Sequence, residues 1–108
     1  MSKNVKQQFA FIQLLAENPS STQRNLLLKS ITRDQLLALS EVALNLLSGV
    51  LVLSTANKKK LSKHKSFIRL LSDKKVTQVS KKKAIENKGA VISLMLKAVL
   101  HSLENILQ

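Results

Sequence analysis

Residues 31–49, ITRDQLLALSEVALNLLSG, carry the clearest helix signal in this chain. Thr32 is a good N-cap residue, and Gln35 follows three residues later, where its side chain can reach back and complete a capping box. Gly49 comes directly after the last polar residue, at a position where helices commonly end in left-handed backbone. The stretch therefore predicts a helix that begins after Thr32 and ends near Ser48.

The spacing of apolar residues predicts which side of this helix packs on the core, because residues three and four apart share a helix face. The face expected to be buried consists of Leu36, Leu39, Val42, Ala43, Leu46 and Leu47. The face expected to be exposed consists of Asp34, Ala38, Glu41, Asn45 and Ser48.

Helical spacing, N-cap residues and two glycines predict the remaining elements. Residues 50–53 form an expected extended connector packed on the core, since one strand cannot form a sheet alone. The further expected helices are residues 4–17, 20–29, 55–72, 78–88 and 90–107. A chain of 108 residues fits one domain. We therefore expect an all-α fold, residues 1–108, built as a compact bundle of five or six helices.

The basic residues are concentrated in the lysine-rich segment, residues 58–88. It holds twelve of the eighteen Lys and Arg residues, opposed only by Asp73 and Glu86, so 12 − 2 = +10 of the net +12 lies there. Such a concentration usually indicates a polyanionic partner. Nucleic acid is the first candidate and an anionic membrane the second. The candidate binding residues are Lys58, Lys59, Lys60, Lys63, Lys65, Arg69, Lys74, Lys75, Lys81, Lys82, Lys83 and Lys88.

The residue types in this segment indicate how it would bind. Lysine offers flexible point charges to phosphates, whereas base recognition favours forked side chains, and Arg69 is its only arginine. Double-stranded DNA is favoured over single strands because the chain has three Phe and no Trp or Tyr for stacking. The alternative interpretation is a solvated surface, or nuclear import patches at residues 58–60 and 81–83.

The same segment offers only narrow apolar seams for packing. In the helix at residues 55–72 the seam consists of Leu61, His64, Ile68 and Leu71, and in the helix at residues 78–88 Val79 and Ile85 are expected to face inward. Gly89 is expected to stop that second helix.

The sequence offers little for catalysis or for a metal. It has no cysteine, and its histidines, His64 and His101, lie on different expected helices. A packed neutral imidazole is the ordinary outcome for His64 on its apolar seam. Gly49 and Gly89 are the only glycines, so a glycine-rich phosphate loop is excluded. We expect no enzyme activity, no catalytic residue, no metal and no cofactor.

The last expected helix, residues 90–107, is apolar except for one stripe. The stripe consists of Ser93, Lys97, His101, Glu104 and Gln108. A core helix, an oligomer interface and a helix lying on an anionic membrane all remain open. Because the neighbouring seams are narrow, we expect self-association through this helix, most simply as a symmetric dimer.

The order of elements between residues 20 and 100 also resembles a known group of proteins. The resemblance rests on SITRDQLLALSEVALNLLSG at residues 30–49, VLVLS at 50–54, KKKLSKHK at 58–65, IRLL at 68–71 and KKV at 74–76. These resemble the small basic proteins encoded beside capsid genes in animal Polinton/Maverick elements and adintoviruses. Many of these proteins have a double glycine and a proline in the tail, whereas Gly89 here is single and no proline follows it.

This resemblance implies a virion core protein that binds and compacts packaged double-stranded DNA, located in the nucleus or the virion. We therefore expect sequence-independent DNA binding without catalysis. The alternatives are a module for oligomerisation or for docking on a capsid protein, and a membrane-active virion component that uses its C-terminal helix.

Overall fold

The computed structural model describes residues 2–107, which contain eight helices and no strand. Helix makes up 77% of the structure, so the all-α prediction is confirmed. The predicted number of five or six helices is too low, because two predicted helices are each divided by a bend. The helices are α1 Lys3–Gln7, α2 Phe9–Glu17, α3 Ser21–Lys29, α4 Arg33–Leu47, α5 Thr55–Ser62, α6 Lys65–Ser72, α7 Gln78–Glu86 and α8 Gly89–Leu107.

The ends of α4 form as the sequence predicts. Thr32 Oγ1 accepts the N–H of Gln35 at 3.1 Å, and Gln35 Oε1 accepts the N–H of Thr32 at 2.9 Å, which completes the capping box. At the other end Gly49 has φ +83°, a left-handed conformation that favours glycine. The N–H of Val50 then donates to Asn45 O at 3.1 Å and closes the helix terminus.

The buried surface of α4 is wider than the predicted face. Leu36, Leu39, Val42 and Ala43 are buried as expected, and Leu46 is half-buried. Contrary to the prediction, Ala38 is buried and Leu47 is exposed, and Ser40, which the prediction assigns to neither face, is buried too. The reason is that α4 packs against α6 and also contacts α1 and α7, so neighbours cover more than one stripe of the helix.

Two bends divide helices that the sequence predicts as continuous. The first lies at Gln8, between α1 and α2, and the second at Lys63 and His64, between α5 and α6. Each bend serves two different packing partners. Helix α1 contacts α4 while α2 packs on α8, and α5 contacts α8 while α6 packs on α4. Apolar periodicity does not reveal such a bend, because it continues in register across both sites.

Helix α8 packs along α2 and also contacts α3, α5 and α7. Its fully or largely buried residues are Gly89, Ile92, Met95, Leu96, Val99 and Leu103. Helix α8 is also long and apolar enough to cross a membrane, with a mean hydropathy of 1.5 over the candidate span. In the fold, 28% of that span is buried. On the predicted polar stripe Lys97 and His101 are exposed, whereas Gln108 lies outside the described residues. Neighbouring helices therefore bury one face of α8 and leave its other residues half-buried or exposed.

Gly89 is the first residue of α8, whereas the sequence predicts only that it ends the preceding helix. Helix α7 ends at Glu86, and Gly89 is buried where α3 crosses closely. A Cβ atom at residue 89 would lie 2.9 Å from Asn25 Oδ1 and 3.1 Å from Arg24 Nε. A side chain at residue 89 would therefore require the Asn25 and Arg24 side chains of α3 to move aside.

The connector at residues 50–53 is neither helix nor strand and bends at Leu51, and only part of it packs on the core as predicted. Leu51 is buried, whereas Val50 and Val52 are exposed. The N–H of Val52 donates to Ser102 Oγ of α8 at 3.2 Å. This bond fixes the connector beside the C-terminal part of α8.

Leu39 and Leu37 of α4 provide a matched test of this packing. Leu39 is fully buried, whereas Leu37 is 39% exposed on the same helix. We expect Leu39→Ala to lower the free energy of unfolding by about 2–5 kcal/mol, because it leaves a cavity in the core. Leu37→Ala should lower it by much less. Urea denaturation of both variants measures the difference, and equal losses would contradict the packing of α4.

Candidate nucleic-acid interface

The lysine-rich segment spans α5, α6, α7 and the loops that join them. Ten of its twelve basic residues are exposed, Lys82 is half-buried and Lys81 is buried. The exposed ten are Lys58, Lys59, Lys60, Lys63, Lys65, Arg69, Lys74, Lys75, Lys83 and Lys88. Most of the predicted binding residues are thus accessible to a partner, and they lie on three consecutive helices and on the connections between and after them.

Helix α5 presents three consecutive lysines, residues 58–60, with very little burial of its own. Ser54 caps it, since its Oγ accepts the N–H of Asn57 at 3.1 Å. Leu61 is its one buried residue. The bend at His64 follows, and His64 is half-buried there, consistent with its predicted position on an apolar seam. Local capping and one apolar anchor therefore position the first lysine cluster.

Helix α6 is the anchor of the segment. Ile68 and Leu71 are buried against the core, and Arg69 between them is exposed. This is the alternation expected of an amphipathic helix. The packing of α6 on α4 consequently directs Arg69 outward and fixes the start of the following loop.

The loop between α6 and α7 is ordered by short polar side chains. Asp73 Oδ1 accepts the N–H of Lys75 at 2.9 Å, and Thr77 Oγ1 accepts the N–H of Ser80 at 3.1 Å to cap α7. Asp73, one of the two acidic residues in the segment, therefore helps to order this loop. Lys74 and Lys75 are exposed on this loop.

Lys81 is the predicted binding residue that the structure withdraws from the surface. Its side chain is 4% exposed, and its Nζ donates to Ser40 Oγ at 3.3 Å. Helix α7 faces the core with Lys81 and Ile85, four residues apart, whereas Val79, predicted to face inward, is 67% exposed. The aliphatic stem of lysine can occupy an apolar position while its nitrogen finds a polar partner.

Burial has an electrostatic consequence for Lys81. Loss of hydration disfavours the ammonium and lowers its pKa below the ordinary lysine value, while the negative charge of Asp73 partly opposes this effect. The spacing of Lys81 and Ile85 along α7 was the available sequence signal. This signal is weak, because Val79 is more apolar than Lys81 and its burial would require a different rotation of α7.

The structure also contains a groove that sequence reasoning missed, here called the Lys81 groove. It has a volume of about 810 Å³ and lies between α1, α4 and the start of α7. Its lining includes Leu37, Ser40, Glu41, Leu44, Val76 and Lys81. Residues from four separate parts of the chain form the groove, so no local sequence pattern predicts it.

Metal ligands do not cluster in the part of the chain that the structure describes. Among residues 2–107 no group of three or more His, Asp or Glu residues could hold a metal ion. His64 lies at the α5–α6 bend and His101 lies on the exposed side of α8.

Comparison of the chain with models of protein families, with curated proteins and with solved structures found no significant match.

Proposed function

We propose that this protein binds and compacts double-stranded DNA, largely without regard to sequence and without catalysis, as a virion core protein does. The observation that carries the proposal is the set of ten exposed basic residues on α5, α6, α7 and their loops. Phosphate backbones attract such a surface through release of condensed counterions, which requires charge density and no particular base. Lys81 is not part of the proposed surface.

The chemistry of the surface supports backbone contacts over base recognition. Nine of the ten exposed basic residues are lysines, and Arg69 is the exception. Lysine contacts phosphate as a point charge, while specific contacts to bases rely mainly on the geometry of Arg, Asn and Gln. Binding of this kind suits a protein that coats a whole genome.

The aromatic residues support duplex over single-stranded substrates. Phe9, Phe11 and Phe67 are all partly buried and pack against the core. They are not arranged as an open platform for unstacked bases, which proteins that bind single strands commonly use. The viral part of the proposal rests on the resemblance to the Polinton/Maverick and adintovirus proteins, which also suggests the nucleus or the virion as its location.

DNA affinity should fall steeply with salt. If about six basic side chains contact phosphates, the slope of log K against log salt concentration should be about −5 on duplex DNA. Fluorescence anisotropy with a labelled duplex across a salt series measures this slope. Two duplexes of unrelated sequence should give the same result, and a response that does not change with salt would contradict the proposal.

Charge reversal tests whether the lysine-rich segment is the binding surface. The triple variant Lys58→Glu, Lys59→Glu and Lys60→Glu should weaken DNA binding more than tenfold and flatten the slope by about 3. Its control reverses Lys3, Lys6 and Lys29, which are also exposed but lie on α1 and α3. Both variants change the net charge equally, so equal losses of affinity would show that total charge, and not this surface, governs binding.

Self-association is a second candidate function, favoured by an exposed apolar patch. Val52 is 76% exposed, and Val50 and Ile106 are also exposed. The bond from Val52 to Ser102 places the connector beside α8, and Ile106 lies one helical turn beyond Ser102. Exposed apolar residues in one place indicate an interface, and here it would join the C-terminal ends of two α8 helices.

Sedimentation without DNA tests this second function. We expect a dimer at tens of micromolar, and Val52→Asp should convert it to a monomer by placing a charge in the interface. Val79→Asp is the control, because Val79 is similarly exposed but lies on α7. If the unchanged chain is a monomer, the dimer is excluded. In a separate experiment, release of dye from anionic liposomes by the protein would favour the membrane-active alternative.

A further inference from the structure

Two of the three arginines of the chain lie outside the lysine-rich segment, yet the fold brings both beside it. The three are Arg24 on α3, Arg33 at the start of α4 and Arg69 on α6. Helix α3 packs on α7 and α8, and α4 also contacts α7. The first two arginines are thus carried by elements that adjoin the proposed DNA surface without being part of it.

Arg33 is a neighbour of Lys82 across a small cavity. The cavity has a volume of about 250 Å³, and its lining includes Thr32 and Arg33 from the start of α4 and Gln78, Val79 and Lys82 from α7. Arg33 is exposed and Lys82 is half-buried. The described residues that line the cavity include no carboxylate. Two positive side chains therefore border one cavity at the first turn of α7.

Arg24 lies beside the other end of α7 and has an unsatisfied donor. Its Nε is 3.1 Å from the place that a Cβ atom of residue 89 would take, and Gly89 directly follows exposed Lys88. Arg24 is half-buried, and its Nε is buried without a hydrogen-bond partner. A missing partner on a charged group costs free energy, which contacts between an anionic acceptor and the same guanidinium would offset. The fold thus places an incompletely paired guanidinium next to the last lysine of the segment.

The two arginines mark the two ends of α7. Arg33 adjoins its first turn and Arg24 adjoins residue 89, so residues 24–33 run past α7 in the opposite direction. At 1.5 Å of rise per helical residue, the two neighbourhoods are roughly 10–15 Å apart. That span corresponds to only a few phosphates of one DNA strand, at about 3.4 Å of helix axis each. A duplex that lies across α7 can therefore meet both arginines together with the lysines of that helix.

We propose that the DNA surface continues from α7 onto α3 and the start of α4, where Arg24 and Arg33 contact phosphates of the same duplex. This inference rests on the proposed DNA binding and adds two residues that the lysine-rich segment does not contain. A guanidinium suits this task because it can give two parallel hydrogen bonds to one phosphate. Because the Nε of Arg24 is buried beside Gly89, its side chain also has less freedom to lose on binding than an exposed lysine has.

The three arginines form a natural set for a footprint on the unaltered protein. Phenylglyoxal modifies arginine side chains, and peptide mass spectrometry compares the three with and without one molar equivalent of a short duplex. We expect the duplex to slow modification of Arg24, Arg33 and Arg69 severalfold. Protection of Arg69 without the other two would overturn this inference and leave the proposed function standing, whereas protection of none would contradict both.

Two double variants separate these positions from total charge. Arg24→Gln with Arg33→Gln should weaken duplex binding severalfold and flatten the slope of log K against log salt concentration by about 2, because each lost phosphate contact changes it by about 0.9. The control, Lys3→Gln with Lys6→Gln, removes two exposed charges of α1 and should leave the slope nearly unchanged. Equal slopes for the two variants would overturn the inference.

Urea denaturation checks that both variants fold. If loss of half-buried Arg24 prevents folding, Arg33→Gln alone changes only an exposed residue and should flatten the slope by about 1. A slope for this single variant equal to that of the unaltered protein would then overturn the extension of the surface onto α4.

Discussion

The packing of α4 against α6 is the contact on which the rest of the structure depends. Helix α4 contributes buried residues on several sides, and its contacts with α1, α6 and α7 place three other helices around it. Helix α6 brings Ile68 and Leu71 to this contact and thereby attaches the lysine-rich segment to the core. The same arrangement leaves room beside α4 for the groove and puts Ser40 within reach of Lys81. Loss of this contact would remove the proposed DNA surface and the groove together.

The segment that carries +10 must be held against its own repulsion, and few side chains do this. Leu61, Ile68, Leu71 and Ile85 are its buried apolar residues. Burial of each contributes about 1.5–3 kcal/mol relative to exposure, which is comparable to the effect of a few unfavourable charge contacts. A polyanion would reduce the repulsion, so binding and folding of this region favour each other.

Local patterns predicted much of the fold, and long-range packing decided what they missed. The ends of α4 follow from Thr32, Gln35 and Gly49, because caps depend on neighbouring residues alone. The bends at Gln8 and His64 were not predictable, since each exists to let adjacent helices reach different partners. The burial of Lys81 is unpredictable for a related reason: charge normally indicates exposure, but contacts with α3, α4, α6 and α8 together set the rotation of α7. The groove could not be predicted because its walls come from distant parts of the chain.

The small anchorage of α5 also gives the molecule an uneven internal stability. Regions with few buried contacts open by local unfolding at much lower free energy than the whole domain. With Leu61 as its one buried residue, α5 should exchange its amide hydrogens early, while α4 and the buried turns of α8 retain theirs until the domain unfolds. We therefore expect the part of the protein that presents residues 58–60 to open separately from the core, which would let its lysines adapt to the path of a phosphate backbone in the proposed complex.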